Sequence, residues 1–446
     1  MTSTHLSETA FSTLDLHPNV LKGVESAGFE FCTPIQAGAL PVALAGGDVA
    51  GQAQTGTGKS AAFLLAMLNR LTTTSPDDNR RPNDPRAIIL APTRELAIQI
   101  YNDAVVLNEG CDYKLCLAFG GTDYEKQRVA IENGCDVLIG TPGRLIDYFK
   151  QKVFGLKHIS VVILDEADRM FDLGFIKDIR YVLRRLPEPQ ARLNLMFSAT
   201  LSQRVLELAY EHMNDPKLIR IEAESVAADR IRQVIYYPAN DEKLRLLVGI
   251  LRKTDPSRTM VFVNTKRAAE LVQATLIAND FSALAISGDV PQKKRMSMLK
   301  KFQSGELQIL VGTDVASRGL HIDNVSHVFN YDLPQDPEDY VHRIGRTARA
   351  GSYGDAISFG CENYAQGLPD IEKYVGYRLP MEPVEQALLA DITIPTLKRR
   401  RPPPRRGGPR KGGRPSPSQK ASGNEGQASK KPKRRRRRRK PKPASE

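Results

Sequence analysis

No two of the five cysteines, Cys32, Cys111, Cys116, Cys135 and Cys361, stand at CxxC spacing, and none has a histidine partner at zinc spacing. A disulfide framework and a structural metal site are therefore not expected, and a reducing, cytoplasmic setting fits best. No stretch approaches about 18 uninterrupted apolar residues. The first residues, MTSTHLSETAFSTLDL, have no basic region leading into an apolar run. Neither a membrane span nor secretion is expected. Self-similarity at a period of about 20 to 50 residues is also missing, which excludes a solenoid.

What remains is ample for ordinary cores. At 446 residues, with 41% apolar and 26% charged content, the chain exceeds what one core organises, so two domains plus extras are expected. Its net charge of +13 is unevenly placed. Residues 398–446 hold 21 Lys and Arg against 2 Asp and Glu, a net of +19. The remaining 397 residues hold 43 against 49, a net of −6. All the basic excess sits in a tail rich in Pro, Gly, Ser and Arg, which has too few apolar residues to offset its ordering entropy and is expected to be disordered.

Upstream, short apolar runs alternate with helical patterns: RAIILAPT, KLCLAFGG, DVLIGTPG, VVILDEAD and LNLMFSAT, then TMVFVNT, SALAISG, LQILVGT, VSHVFNYD and DAISFG. This alternation predicts an α/β fold of parallel sheets with helices on both faces. The polar stretch near residues 221–233 marks the interdomain linker, and TTTSPDDNRRPNDPR, residues 72–86, reads as a surface insertion. The expected organisation is a first domain over 1–222, a linker over 223–233, a second domain over 234–380 and a disordered basic tail over 381–446.

Two motifs carry chemistry by themselves. AQTGTGKS, from Ala53 through Gln54, Thr55, Gly56, Thr57, Gly58 and Lys59 to Ser60, lies between a strand-like run and a helical one. Backbone N–H groups there suit phosphates, Lys59 suits the β and γ groups, and the Ser60 hydroxyl suits Mg2+. The strict phosphate-loop pattern has glycine where this chain has Ala53, so the match is a variant; a Gly-rich turn is the alternative. In DEAD, residues 165–168, a carboxylate at a strand end can hold Mg2+ through water while its neighbour deprotonates the attacking water. That assigns Asp165 to the metal and Glu166 to the base. Capping of the following helix is the competing explanation, and it accounts for one carboxylate rather than three.

With PTRELA (92–97), TPGR (141–144), SAT (198–200), TDVASRG (313–319) and HRIGRTAR (342–349), the chain resembles the DEAD-box RNA helicases of superfamily 2 over roughly residues 11–360. Longer strings, among them DEADRM, DLGFIKDIR, HVFNYDLP and EDYVHRIGRT, resemble in particular the helicase of the bacterial RNA degradosome. The resemblance implies two tandem RecA-like domains, ATP and Mg2+ as cofactors, and an RNA-dependent ATPase that locally unwinds short duplexes. Adenine would be read by Gln36 and stacked by Phe11, the ribose bound by Asp314, and the γ-phosphate reached by arginine fingers Arg346 and Arg349. RNA would be gripped by Pro92, Thr93, Arg94, Gly120, Gly121, Thr141, Gly143, Arg144, Asn264, Thr265, Gln292, Arg295, Thr313 and Gly319, a set suited to phosphate and sugar without a base code. Asp168, Ser198, Thr200 and His342 would couple the two sites. The resemblance further implies a bacterial cytoplasmic protein with a monomeric catalytic unit, a partner in the scaffold region of the endoribonuclease RNase E, and no membrane. An ATP-gated RNA clamp or assembly protein is the alternative from another class, and a DNA helicase a third.

Overall fold

The computed structural model describes residues 6–396 apart from 55, 222–229, 255–257, 318–321, 323, 324 and 349–352. Thr55, Gly319, Arg349, most of the expected linker and the tail from residue 397 lie outside the described residues.

Two parallel sheets organise the chain. The first comprises β1 (Val49–Gln52), β2 (Ala87–Leu90), β3 (Leu115–Ala118), β4 (Val137–Gly140), β5 (Val161–Leu164), β6 (Leu193–Ser198) and β7 (Lys217–Arg220), in the order β3-β4-β2-β5-β6-β1-β7. The second comprises β8 (Ile231–Tyr236), β9 (Thr259–Phe262), β10 (Ala283–Ile286), β11 (Ile309–Gly312), β12 (His327–Asn330) and β13 (Gly354–Phe359), in the order β10-β11-β9-β12-β13-β8. Central strands such as AIIL, VLIG, VVIL and ILVG are buried at every position, as required of strands with helices on both faces. All the apolar runs read from the sequence form strands. β7 and β8 were not anticipated: β7 is half-exposed at a sheet edge, and β8 begins at Ile231, inside the stretch assigned to the linker.

Strand order decides which loops meet. β5, β6 and β1 are neighbours, with Leu164 level with Met196 and Ala50 also level with Met196. Their carboxyl ends lead into Asp165, into the segment after Ser198, and into the glycine loop. Crevices at such strand ends are where parallel sheets bind ligands. In the second sheet β11, β9 and β12 are neighbours and present Thr313 with Asp314, Asn264 with Thr265, and Asp332 in the same way.

Two sequence expectations change. The stretch 72–86 is exposed only in part, because its end is pinned by ion pairs: Arg80 with Asp136 at 2.6 Å, and Arg81 with Asp84 at 2.8 Å, whose carboxylate also accepts the Gly155 N–H. Residues 381–396, assigned to the tail, form a strap on the second domain. Ile235 N–H donates to Pro380 O and Glu382 N–H to Ile235 O, Arg245 donates to Ala390 O, and Asn279 donates to Thr393 O. Val384, Leu388, Leu389 and Ile392 pack on the core beneath. The tail was expected to begin at 381, but the run from Val384 to Ile392 is as apolar as a folded segment; it packs on the core that includes the helix Lys243–Thr254, while Met381 and Ile394 stay exposed.

Candidate nucleotide and RNA site

The glycine loop is held from the side. Gln36 Nε2 donates to Gly58 O at 3.0 Å while its Oε1 accepts the Thr33 N–H at 2.8 Å, closing the N-terminal turn of the helix Pro34–Leu44. A side chain at Gly58 would meet that amide at 2.5 Å, and the backbone there is left-handed at φ +88, so glycine is required. Gln36, expected to read adenine, is thus 4% exposed and spends one donor and one acceptor inside the protein. Phe11 is buried at 2% and stacks behind Phe29 with ring centroids 6.0 Å apart. Phe29 is the ring that lines the cavity. The stacking role expected of Phe11 thus does not fit its position, because Phe11 is buried behind Phe29 and it is Phe29 that faces the cavity.

That cavity, about 420 Å³, lies in the size range of small-molecule sites and is lined by both domains. Gly56, Gly58, Lys59, Ser60, Asp165 and Glu166 come from the first, and Arg346 from the second. Lys59 Nζ donates to Ala53 O at 2.7 Å. Asp165 is 2% exposed, and burial pushes its carboxyl up to about 7 against the opposing pull of Lys59, with Glu166 adding to the rise. A carboxylate in that position is poised to be neutralised by a cation, and with the Ser60 hydroxyl it forms an oxygen donor set suited to Mg2+. Glu166 adopts a left-handed backbone at φ +51, a conformation that costs a non-glycine residue on the order of 1–3 kcal/mol and turns its side chain out of the strand line. Arg169 Nη1 lies 3.5 Å from Glu166 Oε2.

From this carboxylate pair a relay runs to the other strand end. Asp168 Oδ2 accepts the N–H groups of Ala199 and Thr200 at 3.1 and 2.9 Å and the Thr200 hydroxyl at 3.3 Å, while Asp168 N–H donates to Ser198 Oγ. His342, on the second domain's helix Pro337–Ile344, faces the same groups across a small cavity with Arg346 and Glu338. Burial lowers its pKa, Asp168 opposes that, and Arg346 adds to it. All four expected coupling residues are thereby brought together.

The remaining expected contacts divide. Thr93 and Thr265 cap the helices that follow, accepting from Leu96 and Ala268 N–H. Gly121 stands where any Cβ would lie 2.3 Å from Arg94 Nη1, and Gly143 faces open space. Three residues expected to face RNA turn inward. Asn264 is bonded to Asp332, Leu333 and Arg343, while Gln292 and Arg295 reach Glu95 of the first domain at 3.1 and 2.7 Å. Asp314, expected on the ribose, is gripped through both oxygens by Arg343 at 2.6 Å. Glu95 and Arg343 were missed although they lie inside PTRELA and HRIGR, because their partners are far away in sequence.

The family described as DEAD/DEAH box helicase matches residues 33–208, and the helicase conserved C-terminal domain matches residues 242–351. The ATP-dependent RNA helicase RhlB of Xanthomonas oryzae pv. oryzae is 60% identical over 393 residues, 88% of this chain and 68% of that protein. RhlB of Vibrio atlanticus is 55% identical over 404 residues, 90% of this chain and 93% of that protein. A structure of S. cerevisiae Dbp5 bound to RNA and ADP BeF3 is 32% identical with a TM-score of 0.75, covering 84% of this chain and 96% of that one.

Proposed function

This chain belongs to the DEAD-box ATP-dependent RNA helicases, built on two tandem RecA-like domains, and from that premise we propose that the cavity between them is the ATPase site through which RNA binding drives turnover. The observation that carries the reading is the joint lining of one cavity by Lys59, Asp165 and Glu166 from one domain and Arg346 from the other. A site divided in this way is complete only when the domains close.

The phosphates lie along the loop from Ala53 to Ser60, with Lys59 turning from Ala53 O toward the β and γ groups. Ser60 and Asp165 are the residues that would hold Mg2+, which would supply charge neutralisation on the phosphates. Glu166 orients and deprotonates the attacking water, Arg346 stabilises charge on the transferred group, and Arg349 is the second finger. Phe29 offers its ring to adenine, backed by Phe11, and Gln36 keeps one N–H and one lone pair for the base edge. Asp314, oriented through both oxygens by Arg343, offers its remaining lone pairs to the ribose.

RNA lies across both domains on Pro92, Thr93, Arg94, Gly120, Gly121, Thr141, Gly143 and Arg144, then Thr265, Thr313 and Gly319, by phosphate and sugar contacts. Closure is signalled through Asp168, Ser198, Thr200 and His342, and short duplexes are pried apart locally. The similarity to RhlB supports a cytoplasmic role in RNA degradation, with an RNase E scaffold as partner and a monomeric catalytic unit.

Duplex release with ATP by wild type and Glu166→Gln is the decisive comparison. Loss of a general base is expected to lower turnover by about 10²–10⁴ while nucleotide binding persists. Equal duplex release by both proteins overturns the hydrolysis-driven reading in favour of an ATP-gated clamp.

A further inference from the structure

Arg144 is held differently from the other arginines on this face. Arg94 reaches toward Gln292 Oε1 at 3.5 Å, and Arg295 is paired with the Glu95 carboxylate. Arg144 lies instead over two tyrosine rings, its Cζ 4.7 Å from the Tyr124 centroid and 5.3 Å from that of Tyr148. Its Nη1 donates to Tyr148 Oη at 3.1 Å. No other acceptor meets its guanidinium among the described residues, so its remaining N–H groups are uncommitted.

The two rings are themselves fixed. Tyr148 sits one turn beyond Arg144 on the helix Pro142–Lys150, is fully buried, and donates from Oη to Tyr124 O at 2.7 Å. Tyr124 opens the helix Tyr124–Glu132, capped by Asp123, just after Gly120 and Gly121. Its ring lies 4.9 Å from that of Tyr148 at an interplanar angle of 54°, and Gln151, anchored to Asp147, donates to its hydroxyl.

A carboxylate would hold an arginine as firmly, but it would neutralise the charge and occupy the N–H fork. Aromatic faces attract the cation while leaving its charge and most of its donors free. An arginine fixed beforehand also loses less rotamer freedom when it meets a ligand. We infer that Tyr124, together with Tyr148, is a positioning residue for RNA, holding Arg144 charged and extended toward a backbone phosphate on the first domain. The inference rests on the reading of Arg144 as an RNA contact.

The test uses the full chain, a fluorescent single-stranded RNA oligonucleotide and a non-hydrolysable ATP analogue, with affinity measured for wild type, Arg144→Gln, Tyr124→Leu, Tyr124→Phe and Tyr124→Leu/Arg144→Gln. Arg144→Gln is expected to weaken RNA binding about tenfold, as loss of a charge-assisted contact does. Tyr124→Leu is expected to weaken it about two- to fivefold, and Tyr124→Phe, which keeps the ring face, to restore most of the affinity. The double variant should bind no worse than Arg144→Gln alone, a non-additivity that a merely structural role would not produce. Full additivity, or no effect of Tyr124→Leu where Arg144→Gln has one, overturns the inference. An inert Arg144→Gln overturns the RNA reading of this face, and the inference with it.

Discussion

His212 ends the helix Gln203–His212 with its imidazole 8% exposed, Nε2 lying 3.4 Å from Glu211 Oε1. Burial pushes its pKa below the ordinary imidazole value of 6.5; Glu211 opposes the shift, and Arg192, Arg184 and Arg180 add to it. The folded chain therefore binds this proton less readily than the unfolded one. The stability it contributes is full above pH 6.5 and is lost as the pH falls below that value. Melting temperature measured from pH 7.5 to 5.5 should drop less steeply for His212→Gln than for wild type; identical slopes would refute this. Single residues were legible in the sequence where chemistry is local: Lys59, Asp165 and Glu166 sit where their motifs put them. Gln36, Asn264, Gln292 and Arg295 were legible as polar residues of interest, but their partners are set by tertiary structure.

The strap over residues 381–396 contains no strand or α-helix beyond the turn Gln386–Leu388, so it offers no periodic pattern to read. Its path requires Gly249, because a Cβ there would lie 1.8 Å from Leu388 O, a backbone atom with little room to yield. Gly249→Ala gains helix propensity yet forces the strap off its helix, so a net destabilisation of about 1–3 kcal/mol is expected. Urea unfolding checks it; an unchanged or raised midpoint would show that the strap moves aside freely. Strands were read correctly wherever both faces are buried, since a continuous apolar run of four residues is hard to mistake between turn signals. The edge strands β7 and β8 are interrupted by polar side chains, Lys217 and Arg220 in one and Arg232 and Gln233 in the other, so the same reasoning passed over them.

At the scale of the whole chain, charge is partitioned. A net −6 body bears a net +19 tail over residues 398–446, and the ligand is a polyanion. Removing the tail should leave basal ATP hydrolysis intact, weaken RNA binding and flatten its dependence on salt, whose slope is about −0.7 per phosphate neutralised on single strands. A salt titration giving the same slope for both proteins would refute an RNA-tethering tail. Composition alone made this division legible, because charge is additive along the sequence and needs no fold to be counted.

The two domains meet through polar groups, Glu95 with Gln292 and Arg295, and Asp168 with His342. Among the described residues, every hydrophobic cluster draws its members from one domain or the other and none from both. Separating the halves therefore wets ions and amides that water solvates well, and bares no greasy seam. If the halves part during turnover as proposed, that opening exposes no apolar cluster shared between them to neighbouring proteins.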